Sequence, residues 1–212
     1  MIDSGARTKI AMVSLDWDLV DLIEQSPNFE LVGIFDRAES ATLRGLRWLG
    51  SDEDWRSVQD QYPELKIILA IDPPHLRQIL FAKYGIDSVA SIISQDAYIS
   101  RHATIGRGVM IQRGVKVMPH ASLGIACKIH INATIHHESR IGDFCTISPG
   151  AQILGNVEIG DGTYVGAGAI IRQRIKIGSG VKIGAGAVVV KDIPNGHSVV
   201  GVPADRLLSK KP

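Results

Sequence analysis

The chain has 212 residues, 45% of them hydrophobic and 21% charged, which is enough for a core and carries no signature of disorder. Aromatic residues make up only 5% while glycine reaches 22 residues, a balance that points to stacked aliphatics with tight turns and against a conventional helical bundle. The net charge of +1 argues against a dedicated nucleic-acid binder, but it is unevenly spread: residues 1–92 carry 9 Lys/Arg against 15 Asp/Glu, net −6, and residues 93–212 carry 14 against 7, net +7.

Opposite charges divide the chain into two expected domains, 1–92 and 93–212. In the first, Lys9 to Val13 reads as a strand, Trp17 to Gln25 has helical spacing, and Leu31 to Phe35 reads as a second strand ending at Asp36. One or two helices are expected over 41–60, with Asp52 as N-cap of the second. Lys66 to Ile71 is a third buried strand, Asp72-Pro73-Pro74 opens a helix through Tyr84, and Ser88 to Ala90 is a last short strand. Alternating strands and helices predict a small α/β, Rossmann-like parallel sheet, which binds ligands at the carboxyl ends of its strands. Asp36 fits the place of a ribose contact there, or equally of a helix cap or a solvated loop acid. After the first strand the chain reads SLDWDL with no glycine, so Asp16, Trp17 and Asp18 stand where a phosphate cradle would need open backbone amides.

From Ile93 onward, every sixth residue is aliphatic as far as Val189, without an insertion. A second column of mostly small residues lies two positions earlier, and glycine clusters directly after the aliphatic, where a positive φ would explain it. Large aliphatics filling the interior of a triangular prism account for the pattern, with three hexads per coil and coils stacked about 4.8 Å apart. Cys127 and Cys145 both fall in the small column, one coil apart; their spacing permits a bridge, but packing in a reduced cytosol is the expected reading. No run of eighteen apolar residues occurs and the N-terminus, MIDSGARTKIAMV, lacks the layout of a signal peptide, so a soluble cytoplasmic protein without membrane insertion is expected.

His136 and His137 follow the inward Ile135, which places both at a corner or outer face. One coil away from His137 lie Pro119 and Gly155; one coil away from Glu138 lie His120 and Asn156. Such a patch suits acyl transfer: an imidazole as general base, a carboxylate to orient it, and a glycine N–H for the oxyanion. Histidines on adjacent coils also allow a metal enzyme, since His102 and His120 stack with His136 and His137 nearby.

The stretch INATIHHESRIGDFCTISPGAQILGNVEIGDGTYVGAGA, beginning at Ile131, resembles the core of the bacterial hexapeptide-repeat sugar acetyltransferases, which include bacillosamine N-acetyltransferase and sialic acid O-acetyltransferases. The resemblance implies a left-handed parallel β-helix behind a small sugar-nucleotide-binding domain. It implies His137 as catalytic base, Glu138 as its supporting acid and Gly155 as oxyanion donor. Acetyl-CoA contacts would fall on Thr146, Gly155, Ala167 and Ala185, and Gly201-Val202-Pro203-Ala204 is similar to the family's ending beside the CoA channel. The exposed cations Arg172, Arg174, Lys176, Lys182 and Lys191 suit the polyanion CoA, or an ordinary solvated face. Candidate substrate contacts are Asp16, Trp17, Asp36 and Arg37. The family's Gly-rich loop is replaced here by Val13-Ser14-Leu15-Asp16-Trp17-Asp18, and Thr146 stands where a histidine is common. The expected activity is homotrimeric, acetyl-CoA-dependent N-acetylation of an amino sugar, nucleotide-linked, for surface-glycan biosynthesis, with no metal and no nucleic-acid partner. A sugar O-acetyltransferase and a non-catalytic sugar-nucleotide sensor are the alternatives.

Overall fold

The computed structural model describes residues 7–37, 39 and 44–206. Its first unit is a four-stranded parallel sheet in the order β3-β2-β1-β4, where β1 is Thr8–Val13, β2 Phe29–Phe35, β3 Trp48–Gly50 and β4 Lys66–Leu69. Helix α1, Trp17–Gln25, forms as its spacing predicts, with Leu19, Val20, Leu22 and Ile23 buried and the Asp16 carboxylate capping its start. Helix α2 is Trp55–Gln61 and α3 is Pro74–Tyr84, the latter opened by a proline whose missing N–H has no intrahelical partner to lose in the first turn.

Three expectations for this unit are corrected. The region 41–60 holds the edge strand β3 before α2, and residues 41–43 lie outside the described residues. A strand of three residues is too short to show a period, and Trp48 and Gly50 form it only by pairing with Ile34 and Phe35. Asp52 is not the cap of α2; Asp54 precedes that helix, and its carboxylate instead accepts from the backbone N–H and hydroxyl of Ser51. Ser88 to Ala90 contributes only one bridge, Val89 to Ile67.

The rest of the chain coils into three sheets of eight, six and five strands, parallel throughout the repeating part, where each strand is two residues long and paired with the strand eighteen residues on. Face 1 runs upward from Ile92–Ile93, face 2 from Tyr98–Ile99 and face 3 from Thr104–Ile105. The aliphatic column fills the prism as predicted, from Ile111 and Val117 to Ile183 and Val189. Its first member, Ile93, is 43% exposed because no coil lies beneath it. Strand Ser198–Val200 adds one more rung to face 1, closed by the antiparallel Asp205–Arg206.

The glycines after the aliphatic positions have a different cause from the one expected. None of them has positive φ. A Cβ on Gly106 would lie 2.5 Å from the carbonyl oxygen of Gly124 in the next coil, and one on Gly166 the same distance from the Ala185 nitrogen. Close stacking of coils, not backbone twist, excludes side chains there. The left-handed residues sit two positions later, at the corners.

The two units share a core: Ile92 and Met110 of face 1 pack with Ile10, Met12, Leu19 and Ile68. Arg77 of α3, fully buried, clamps the joint by donating to the carbonyls of Ile71, Asp72, Ala126, Phe144 and Cys145 and to the Thr146 hydroxyl, at 2.7–3.0 Å. Cys127 and Cys145 are buried free thiols whose sulfurs donate to the carbonyls of Gly142 and Gly160. Among the described residues, no helix is long and apolar enough to cross a membrane.

Candidate active site on one corner of the coil

Between faces 2 and 3 the chain turns at a corner carrying Pro119-His120, His137-Glu138 and Gly155-Asn156 on successive coils. Glu138 has φ 61° and Asn156 φ 59°, so the coil holds both in the left-handed region with their side chains projecting outward. His137 Nδ1 lies 3.1 Å from Glu138 Oε2, and Asn156 Nδ2 donates to that same oxygen at 3.1 Å. A carboxylate only accepts, so Nδ1 carries the ring proton and Nε2 presents a lone pair. Hydrogen bonds from His137 and then Asn156 hold the Glu138 carboxyl below its usual value.

Nε2 faces Gly155. A Cβ built there would lie 2.7 Å from it and 2.6 Å from Cε1, so only glycine leaves space beside the base. The flanking amides of Leu154 and Asn156 donate to Ile171 and His137, and the Gly155 carbonyl accepts from Arg174; among the described residues the Gly155 N–H has no partner. A base, its orienting acid and a backbone amide without a partner among the described residues therefore lie together at this corner.

Ala167 and Ala185 are exposed on another corner, between faces 1 and 2, where Gly186 N–H donates to the Ala167 carbonyl. Thr146 is a correction. It is fully buried under the first unit, its hydroxyl donating to the Asp72 carbonyl and accepting from Arg77, so no surface remains for a cofactor.

At the carboxyl edge of the first sheet, Asp16 is likewise already engaged. It caps α1 through Leu19 N–H and pairs with Lys128 Nζ at 2.7 Å. Lys128, 2% exposed at its side chain, also donates to the Ala70 carbonyl and pairs with Asp72, which His130 Nε2 meets at 3.3 Å. The His130 hydrogen bond, opposed by burial and aided by Lys128, holds the Asp72 carboxyl well below its usual value. Trp17 stays partly exposed with the Arg44 guanidinium 5.5 Å over its ring. Asp36 accepts from the Arg37 amide, and Arg37 is exposed. This buried network had no signal in the repeat: position 128 is an outward one that tolerates any residue, and only the docked unit buries it. Among the described residues, no group of His, Cys, Asp and Glu is arranged to hold a metal ion.

The family model for bacterial transferase hexapeptide repeats (six repeats) matches residues 138–173 and 156–191. No curated protein matches the chain. Among solved structures, the acetyltransferase domain of PglB from Neisseria gonorrhoeae FA1090 superposes with TM-score 0.87 at 27% identity, over 95% of this chain and 100% of that one. The same domain in complex with acetyl coenzyme A gives 0.86 at 28%, with the same coverage of both chains. PerB from Caulobacter crescentus, in complex with CoA and GDP-perosamine, gives 0.84 at 25% over 95% and 98% of the two chains.

Proposed function

We propose that the chain is a hexapeptide-repeat sugar acetyltransferase that carries out acetyl-CoA-dependent N-acetylation of a nucleotide-linked amino sugar in surface-glycan biosynthesis. The observation that carries this reading is the His137 ring, oriented by Glu138 and packed against Gly155, whose N–H has no partner among the described residues. A thioester carbonyl brought to this corner meets the amide and the base, and the exposed Ala167 and Ala185 with the cations of the last coils suit the rest of acetyl-CoA. Bound acetyl-CoA supplies the acyl carbon.

His137 Nε2 takes the proton from the attacking amine and then returns it to the leaving sulfur. Glu138 fixes the imidazole through Nδ1 and steadies its positive charge, while Asn156 keeps the Glu138 carboxylate in place. The Gly155 N–H donates to the oxygen that becomes negative during attack.

The reading includes a homotrimer. In a triangular prism the His137 corner lies opposite face 1, which carries the first unit, so one chain's base faces away from its own sugar-binding unit. Face 3 presents the ladder Arg140, Glu158 and Lys176 to water, whereas face 2 exposes Tyr98 and Ile170. Three face 2 surfaces around an axis cover that apolar area and bring each His137 corner beside a neighbour's Ala167 corner and first unit. The first unit is read as a Rossmann-like, nucleotide-binding domain, with Trp17, Asp36 and Arg37 toward the nucleoside, and the coil as left-handed; the cytoplasm, where acetyl-CoA is made, is the proposed location.

His137→Ala tests the reading: turnover is expected to fall by about 10²–10⁴ while acetyl-CoA still binds. Near wild-type turnover on a confirmed amino-sugar acceptor would overturn it.

A further inference from the structure

The three corners treat left-handed backbone differently. Between faces 1 and 2, glycine takes four of the five positive-φ places (114, 150, 168 and 186 against Asn132); between faces 3 and 1 it takes four of six. On the His137 corner the places are His120, Glu138, Asn156 and Arg174, with no glycine among the described residues. Positive φ strains any residue with a Cβ, so a corner that accepts it coil after coil for polar side chains marks a working surface. Glu138 and Asn156 serve the base; His120 plays no role in that chemistry.

His120 lies one coil below Glu138, and His102 one coil below that, each step about 4.8 Å. Their rings stack with centroids 5.6 Å apart and planes at 29°. Arg101 Nε donates to His102 Nε2 at 3.2 Å, so the three exposed side chains form one nitrogen-rich strip continuing from the base toward the first coil. The ordinary place for a phosphate in this fold is closed: the start of α1 is capped by Asp16, Asp18 stands in its first turn, and Asp72 follows β4. Carboxylates there oppose an anion. The cations suited to CoA lie at the opposite end, on the last coils, so the acceptor extends downward from His137.

We infer that Arg101, His102 and His120 form an anion subsite that receives the acceptor's phosphate while its amine sits at His137. The inference rests on the reading of an amino-sugar acetyltransferase, and it accounts for a phosphorylated acceptor in a chain whose sheet edge has no phosphate cradle. The charge of Arg101 and its four remaining N–H donors, with ring N–H groups of the two histidines, suit phosphate oxygens.

The test is a titration of the full chain with inorganic pyrophosphate, followed by the histidine C2 proton resonances and assigned with His102→Gln and His120→Asn. Asparagine keeps a residue tolerant of positive φ at 120, and an unchanged Tm shows that the fold survives. Shifts at both rings, and at least tenfold weaker pyrophosphate binding in the double variant, are expected. Binding unaffected by the double variant, or shifts absent from both rings, overturns the subsite. In turnover, the double variant is expected to raise acceptor KM at least tenfold and leave acetyl-CoA KM unchanged. A rise shared by a sugar 1-phosphate and a nucleoside-diphosphate sugar assigns the subsite to the anomeric phosphate; a rise confined to the latter assigns it to the nucleotide's diphosphate; no rise for either overturns it. The two readings fail separately, because pyrophosphate binding decides the subsite whatever His137→Ala does to turnover.

Discussion

Gly155 carries more of the proposed chemistry than its size suggests. Its backbone is not left-handed, so alanine fits the chain conformation there, and the atoms nearest to the added methyl belong to the His137 ring. Gly155→Ala is therefore expected to leave Tm nearly unchanged while kcat falls about 10²–10³-fold, the loss typical of a displaced oxyanion donor. A thermal melt beside a steady-state assay separates these two effects. Glu138 is the opposite case, since its carboxylate is exposed yet held by two hydrogen bonds, and it stays ionised throughout the neutral range in which His137 must act as base.

Two classes of glycine set the coil's geometry at the element scale. Gly106 lies under Gly124 and Ile125, with a Cβ only 2.5–2.8 Å from backbone atoms that cannot rotate away. Gly186 stands in open space with φ +66°, so alanine there suffers only left-handed strain of about 1 kcal/mol. Urea unfolding is expected to rank Gly106→Ala as clearly more destabilising than Gly186→Ala, because the first must push neighbouring coils apart and the second only twists one corner. Equal midpoints would refute the stacking explanation. The hexad period itself, the α1 boundaries and the turn into α3 were all legible, since each rests on spacing or on a proline within a few residues. Strand β3 was not, because an edge strand of three residues exists only through its neighbour β2.

The joint between the two units belongs to the whole molecule. Lys128 is buried between Asp16, Asp72 and the Ala70 carbonyl, so Lys128→Met leaves the largely buried Asp16 and the half-exposed Asp72 without their cation. A loss of about 3 kcal/mol is expected from denaturant unfolding, as for other broken buried pairs. Asp72 provides the pH test. Its folded pKa is depressed, so its contribution is present above the unfolded carboxylate value of about 3.9 and is lost as pH falls. The Tm gap between the wild type and Asp72→Asn is accordingly expected to be wide at neutral pH and to narrow progressively as pH falls below about 4. A gap independent of pH would show that the carboxylate does not hold the joint.

The sequence by itself determined the prism, its interior column and the stacking of His137, Glu138, Gly155 and Asn156, because a strict period converts residue number directly into position on a face. It did not determine which outward positions would be covered. Thr146 and Asp16 read as ligand contacts until the docked unit buried one and paired the other with Lys128, and the glycines after Ile105 and Leu123 read as turn residues until coil packed upon coil. Periodicity records which way a side chain points within its own coil; what that side chain meets is decided by contacts between residues dozens of positions apart, and those form only when the chain has folded.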